Sequence, residues 1–216
     1  SSIFPGALTL EAFWDLLASG RDPKREVPAD RWSKELYYSP QAEGPRRVAN
    51  ALGGFITDFV YDWKKHKVPP KQMANANPLQ FMLLDAADQA LRDSGYDRKA
   101  FDKQRAAVIV GSVYGGDFAC EMQMGLRIPE FQKHIRDELR ERGVPAEQVE
   151  AVAAAYQDLL LKHMPALLDE TGSFTASTLA SRLTKTFDLM GGAFSIDAHD
   201  VSSLASIGAA VGMLQD

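Results

Sequence analysis

Cysteine is nearly absent from this sequence, and the histidines are few and scattered. The only thiol is Cys120, so neither an internal disulfide nor a cysteine-cluster zinc site can form within the chain. The four histidines stand at positions 66, 134, 163 and 199, and no two of them have the i,i+3 or i,i+4 spacing of a helical metal site. We therefore expect no metal ion, and a reducing compartment, the cytoplasm, as the setting.

A basic surplus and a long apolar run are also missing. Lysine and arginine number 24 against 29 aspartates and glutamates, a net charge of −5, so no general positive field would attract nucleic acid. The longest nearly apolar stretch, residues 203–215, is too short to span a bilayer. The charged residues Glu11 and Asp15 occur before an apolar signal-peptide core of sufficient length could form. Neither a nucleic-acid partner nor a membrane span is expected.

What remains is the composition of an ordinary globular protein. The 216 residues are 45% hydrophobic and 25% charged, and a chain this long buries roughly 70% of its unfolded surface. Thr9 can cap a helix that ends at Gly20, and Asn77 can cap one that ends at Gly95. The β-branched run at 106–110 is typical of a central strand, and residues 193–196 form a second candidate buried strand.

The middle of the chain is predicted to be a surface helical hairpin. Apolar residues recur at helical spacing through 129–164, the other faces are charged, and Gly143 with Pro145 interrupts the pattern. The span of about 121–170 is interpreted as an insertion. A further amphipathic helix is expected at 175–186.

The last predicted helix, residues 202–215, is apolar on nearly every face. Such a helix must be buried on every face, and little of the given sequence is left to cover it. We therefore expect more protein to pack there: a continuation of the chain, a second subunit, or both.

Several segments together resemble the first half of a β-ketoacyl synthase domain of polyketide synthases and polyunsaturated fatty acid synthases. Residues 4–6 and 11–17 are similar to the opening helix of the family. Residues 180–182 and 187–189 are similar to the stretch that precedes the family's nucleophile strand. The remaining matches are at residues 26–32, 53–55, 77–80, 90–95 and 108–111. The long 121–170 segment is more like the fatty-acid-synthase-like branch.

The resemblance implies a thiolase-like fold of two similar α/β halves, usually paired as a dimer, of which residues 1–216 would be the N-terminal half. It implies Claisen condensation: an acyl chain passes from the phosphopantetheine arm of an acyl carrier protein to a cysteine, and a decarboxylated malonyl group attacks the thioester. Two assisting histidines would belong to the C-terminal half, which is not in this chain. No cofactor beyond the carrier's arm is expected.

The family's nucleophile motif is altered here. Where the family has Asp-Thr-Ala-Cys-Ser-Ser-Ser-Leu, residues 197–204 read DAHDVSSL, and the matching ends place Asp200 at the cysteine position. The neighbours His199 and Val201 differ as well, which favours natural drift over an engineered knockout. His199, Val201 and Ser202 are the predicted substrate-binding residues. A helix-capping aspartate is the plain alternative for Asp200.

Other candidate sites receive weaker support. Asp197, His199 and Ser202 or Ser203 have the residue types of a Ser-His-Asp triad, but neighbours on one turn point apart. Residues 111–116 lack the spacing of a phosphate-binding loop. Cys120 could be a substitute nucleophile but has no basic neighbour. The basic cluster Lys64, Lys65, His66, Lys67 and Lys71 is either a solvated loop or a docking surface for an acidic carrier.

We therefore expect a non-condensing, chain-length-factor-like partner that shapes the acyl tunnel of an active ketosynthase. The alternative is an active or decarboxylating ketosynthase, and a weaker one is a free-standing binding module. Covalent labelling by an acyl thioester separates the first two, and the oligomeric state tests the third.

Overall fold

A computed structural model describes residues 1–113, 116–168 and 175–215. The chain divides into two compact units. The first consists of residues 1–61 and 84–100, and the second of residues 62–83 and the described part of 101–216.

The first unit begins with the predicted capped helix. Helix α1 spans Leu10–Ser19, the Thr9 hydroxyl accepts a hydrogen bond from the Ala12 amide at 3.2 Å, and Gly20 ends the helix with φ 62°. Strand β1 (Arg25–Glu26) pairs antiparallel with β2 (Leu52–Gly53), and α2 spans Lys34–Tyr37. These three short elements lie in or beside the segment 21–50, which contains several prolines and one glycine.

Helix α4 spans Leu79–Asp93 and runs from one unit into the other. The Asn77 side chain accepts a hydrogen bond from the Leu79 amide at 2.9 Å, and Gly95 has φ 78°. Both predicted boundary residues of this helix are confirmed. A carboxamide at the start and a left-handed glycine at the end satisfy backbone groups that have no partner within the helix.

The second unit is built around a parallel two-stranded sheet. Strand β3 (Val108–Gly111) pairs with β4 (Ala193–Ile196), with Val108 opposite Ala193 and Gly111 opposite Ile196. The helices of this unit are α3 (Pro70–Asn75), α5 (Gly116–Leu126), α6 (Ile128–Glu141), α7 (Ala146–His163), α8 (Ala176–Phe187) and α9 (Ser202–Gln215).

Helices α8 and α9 cover opposite faces of this sheet. The Ser195 hydroxyl donates to the carbonyl of Ala176 at the start of α8. Val110 of β3 pairs with Ser195, and a side chain at the next residue, Gly111, would point at Ser202 of α9. Because neighbouring residues of a strand point to opposite faces, the second unit has three layers, helix, sheet and helix, which agrees with the α/β class predicted from the sequence.

Burial differs between the two strands. Val108 and Val110 of β3 are buried, as the β-branched run predicted, but Phe194 of β4 is 39% exposed and Ala193 is exposed as well. The prediction that β4 is buried is therefore wrong for this chain. The reason is that β3 is the only strand paired with β4 among the described residues.

The predicted helical hairpin is formed by α6 and α7. Arg136 and Arg140 of α6 both pair with Glu150 of α7, at 2.8 and 3.1 Å, and Val149 of α7 is fully buried. The Lys133 ammonium donates to Asp137 on the exposed side of α6 and keeps the pKa of that carboxyl below its ordinary value. The hairpin is thus held by a narrow apolar seam with ion pairs at its edge.

Helix α9 exposes much of its apolar surface. Leu204, Ile207 and Leu214 are exposed, Leu214 to 88%, and the described residues cover only the side that faces β3 and β4. This agrees with the expectation that little of the given sequence could cover the helix, and the further protein expected to pack there stays a prediction. Within the described ranges, no helix is long and apolar enough to cross a membrane.

Candidate functional site at the carboxyl ends of the parallel strands

The carboxyl ends of β3 and β4 meet at one edge of the sheet. Gly111 pairs with Ile196, and the amide of Ser112 extends the ladder by donating to the Ile196 carbonyl at 3.0 Å. Helix α9 begins six residues after β4, so its amino-terminal end lies at the same edge. The carboxyl ends of parallel strands are where open α/β sheets place their ligands.

The connection from β4 to α9 is a tight turn with a strained residue. The Asp197 side chain accepts a hydrogen bond from the His199 amide at 3.1 Å, and the Val201 amide donates to the Ala198 carbonyl at 3.2 Å. His199 itself has φ 55°, a left-handed conformation that costs a non-glycine residue about 1 kcal/mol or more. Residues 199–201 form a single 3₁₀ turn that delivers the chain into α9.

The Ser202 hydroxyl connects both strand ends. It is buried, at 5% exposure, and accepts a hydrogen bond from the Ala198 amide at 3.0 Å. Its oxygen lies 2.7 Å from the His199 carbonyl and 3.2 Å from the Ser112 carbonyl, either of which can accept its one proton. The hydroxyl therefore ties the turn after β4 to the chain leaving β3. Its substrate-binding role stays a prediction.

Gly111 allows α9 to approach the sheet this closely. A Cβ atom at Gly111 would lie 2.6 Å from the Ser202 carbonyl oxygen and 2.8 Å from the Ser206 hydroxyl. The residue at this strand end must therefore lack a side chain. Sequence reasoning had weighed this glycine only as part of the 108–111 match and of the 111–116 loop, although a glycine directly after a β-branched run is a signal of close backbone approach.

Asp200 and His199 point outward from this framework. The Asp200 side chain is fully exposed, at 101%, and its Oδ1 lies 3.6 Å from Nδ1 of the largely exposed His199 imidazole. Val201 is also exposed. The three side chains crowd one turn at the amino-terminal end of α9, where the aligned peptide dipoles favour a negative charge.

The residue types of a Ser-His-Asp triad are not brought together. The Ser202 hydroxyl faces the backbone carbonyl of His199 rather than its imidazole, and Asp197 bonds the His199 amide. A triad requires a serine hydroxyl that is hydrogen-bonded to an imidazole, which is in turn hydrogen-bonded to a carboxylate. The turn uses these groups to hold backbone in place instead.

Of the other candidates, the segment 111–116 begins at this corner, because its Gly111 pairs with Ile196. This segment is described except for residues 114 and 115. Cys120 is an exposed thiol on α5. The Lys64 ammonium of the basic cluster lies 5.8 Å from the centre of the Trp63 ring. Within the described ranges, no three His, Cys, Asp or Glu side chains gather as metal ligands would.

Comparison with known families identifies one match along the whole chain. The model of the β-ketoacyl synthase N-terminal domain matches residues 1–216. A phenolphthiocerol/phthiocerol polyketide synthase of Mycobacterium tuberculosis is 37% identical over 117 residues, which are 53% of this chain and 8% of that protein. A polyunsaturated fatty acid synthase of a Thraustochytrium species is 26% identical over 211 residues, 98% of this chain and 7% of that protein.

A solved structure described as the PfaC keto synthase–chain length factor has the same fold. It superposes with a TM-score of 0.68 at 22% identity and covers 98% of this chain, which corresponds to 21% of that chain. The chain thus spans under a tenth of the curated relatives named above and about a fifth of this structural neighbour. The thiolase-like fold predicted from the sequence is confirmed by this likeness.

Proposed function

The chain belongs to the β-ketoacyl synthase family, and from that membership we propose that it is a non-condensing domain that pairs with an active ketosynthase and shapes its acyl tunnel. It is a ketosynthase-like domain of the kind found in polyketide and polyunsaturated fatty acid synthases. In this chain-length-factor-like role the domain binds and shapes its partner and forms no covalent bond itself.

The observation that carries this proposal is the carboxylate of Asp200. In this proposal, the resemblance of residues 197 and 202–204 to the family's nucleophile motif assigns Asp200 to the cysteine position, on the turn between β4 and α9. A cysteine at a helix start gains nucleophilicity because the positive end of the dipole stabilises the thiolate. A carboxylate is stabilised there too, but it is a poor acyl acceptor and repels the carboxylate of an incoming malonyl group.

The uncovered surface of α9 supports a partner. Leu204, Ile207 and Val211 are among the exposed apolar side chains of that helix, which starts at the proposed acyl corner. A contiguous apolar surface of this kind is typical of an interface. In this proposal it is covered by further protein of the same synthase, either the second half of the domain or the paired ketosynthase.

We test the loss of condensing chemistry by covalent labelling. The full protein that carries this chain is incubated with a radiolabelled acyl thioester, denatured and counted. We expect no stoichiometric label on this domain, while an active ketosynthase run in parallel retains one acyl group. One acyl group per domain on this protein would favour the condensing or decarboxylating alternative, and peptide mapping would then identify the acceptor.

A carrier protein with its phosphopantetheine arm is the proposed donor of the acyl chain, and the basic cluster is its proposed docking surface. Carrier proteins of acidic surface would be attracted by Lys64 and Lys65, with a contribution that salt screens. The exposed Cys120 thiol suits the reducing, cytoplasmic setting that we propose for this partnership.

Charge reversal tests this docking surface. We expect the Lys64→Glu/Lys65→Glu variant to bind an acidic carrier about tenfold more weakly at low salt, which corresponds to about 1.4 kcal/mol. Binding is measured by calorimetry at low and at high ionic strength, and the difference should shrink as salt rises. The matched control is Lys99→Glu/Lys162→Glu, two exposed lysines outside the cluster. Equal affinity of both double variants would rule the docking surface out.

A further inference from the structure

One side of helix α7 is left uncovered by the described residues. Val152 and Leu159 are 47% and 53% exposed on this side, and Gln148 and Ala155 are exposed as well. These four residues, which we call the outer seam, follow one another at intervals of four, three and four positions. Residues at such alternating intervals form the contact surface of helices that pair as coiled coils. The outer seam therefore has the pattern of a surface that packs against another helix.

The hairpin uses the opposite side of α7. Glu150 pairs with two arginines of α6, and the Gln157 carboxamide oxygen accepts a hydrogen bond from α6 at 2.9 Å. Because each residue advances by about 100° around an α-helix, the outer seam lies on the side away from Glu150 and Gln157. Of the described helices and strands, only α6 and the 3₁₀ turn Pro165–Leu168 contact α7. Packing within the hairpin therefore leaves the outer seam open to another molecule.

From this geometry we infer that the outer seam binds the outer seam of a second copy of this chain, with the two α7 helices antiparallel about a two-fold axis. The seam is complementary to itself in that arrangement. Val152 of each copy lies opposite the small Ala155 of the other. Leu159 likewise lies opposite the methylene groups of Gln148. Large side chains that face small ones let two helices interdigitate, and a two-fold contact forms every such pair twice.

The charges at the ends of α7 favour a second copy in this orientation. Glu147 stands at the amino-terminal end of the outer seam and Lys162 at its carboxyl-terminal end, and both are exposed. Neither forms an ion pair with a residue that the structure describes. An antiparallel pair brings Glu147 of each copy beside Lys162 of the other, whereas a parallel pair would bring like charges together. Antiparallel helices also place the positive dipole end of each beside the negative end of the other.

The contact is small and separate from the apolar surface of α9. The 18 residues of α7 span about 27 Å, and one pair of such helices falls in the size class of weak interfaces, below about 1,200 Å². We therefore expect self-association in the micromolar range. The inference does not rest on the proposed function, because α9 remains available for the paired ketosynthase when two α7 helices meet.

Opposite charges at one exposed position test this arrangement. Antiparallel pairing brings residue 151 of each copy beside Asp158 of the other, since both lie on the same flank of the outer seam. Ala151→Lys should therefore self-associate more tightly than Ala151→Glu. We expect their Kd values to differ about tenfold, or about 1.4 kcal/mol, because the dimer contains two symmetry-related pairs. Sedimentation velocity of the full protein over a range of concentrations at low salt measures both. Equal values, or the reverse order, would overturn antiparallel pairing.

A second pair of variants locates the contact. Leu159→Ser should weaken self-association at least about tenfold, while Leu52→Ser, at a leucine of similar exposure in β2, should leave it unchanged. Circular dichroism checks that both variants fold. Equal Kd values for the two folded variants would place the self-association elsewhere, for instance at α9, and overturn the inference. A parent protein that stays monodisperse at every concentration would overturn it too, because other protein must then cover the outer seam.

Discussion

Replacing Gly111 with alanine should lower the free energy of unfolding by about 3 kcal/mol, the upper end of the usual cost of overpacking. The new Cβ would lie 2.6 Å from the carbonyl oxygen of Ser202, 2.7 Å from its carbonyl carbon and 2.8 Å from the Ser206 hydroxyl. Two of these atoms are backbone, so the contact can be relieved only by moving α9 away from β3. Urea unfolding followed by circular dichroism measures the loss.

Gly208→Ala is the matched control on the same helix. A Cβ at Gly208 would meet no atom within 4 Å, and alanine is favoured over glycine in a helix by about 0.5–1 kcal/mol. This variant should therefore be slightly more stable than the parent protein. If both substitutions changed stability by the same small amount, the close packing of α9 on the end of β3 would be wrong.

The same contact determines the geometry of the candidate site. The Ser202 carbonyl that approaches Gly111 belongs to the residue whose hydroxyl bonds the turn after β4. A shift of α9 would therefore pull the Ser202 hydroxyl away from the amide of Ala198. We expect the residual folded fraction of Gly111→Ala to have lost the ordered turn that carries Asp200.

Asp200→Cys, made in a Cys120→Ser background, should convert an unreactive chain into one that takes up one equivalent of iodoacetamide. The substituted chain carries one thiol on the exposed turn where the Asp200 side chain stands, at the amino-terminal end of α9. The positive end of the helix dipole stabilises the thiolate, which is the reacting species. Alkylation at neutral pH, followed by intact mass spectrometry, gives the rate.

Gln215→Cys in the same background is the control, because it places an exposed thiol at the opposite end of α9. The negative end of the dipole disfavours the thiolate there, so we expect Asp200→Cys to react several-fold faster. Urea-unfolded samples of the two variants should react at equal rates. Equal rates in the folded proteins would show that position 200 does not benefit from the helix start.

Local sequence signals were sufficient for most helices. Thr9 and Asn77 cap their helices as predicted, and Gly20 and Gly95 end theirs in the left-handed conformation. The hairpin of α6 and α7 was recognisable from its apolar spacing and the Gly143 turn. Such signals succeed because capping and periodic burial depend on residues a few positions apart.

The burial of β4 and the roles at the strand ends could not be obtained in this way. Phe194 belongs to an apolar run that is typical of a buried strand, yet its exposure depends on which strands lie beside it. The substrate-binding role of Ser202 stays a prediction, but its hydroxyl oxygen also lies 3.2 Å from the carbonyl of Ser112, ninety positions earlier in the chain. Partners this distant leave no periodic signal in the sequence.

The amino-acid order by itself determined the class of this protein and the boundaries of its capped helices, because each is encoded by residues that are neighbours along the chain. Only the tertiary structure decided that Gly111 must lack a side chain and that the Ser202 hydroxyl joins two strand ends. Those features arise from contacts between segments tens of residues apart, and such contacts exist only after the backbone has folded.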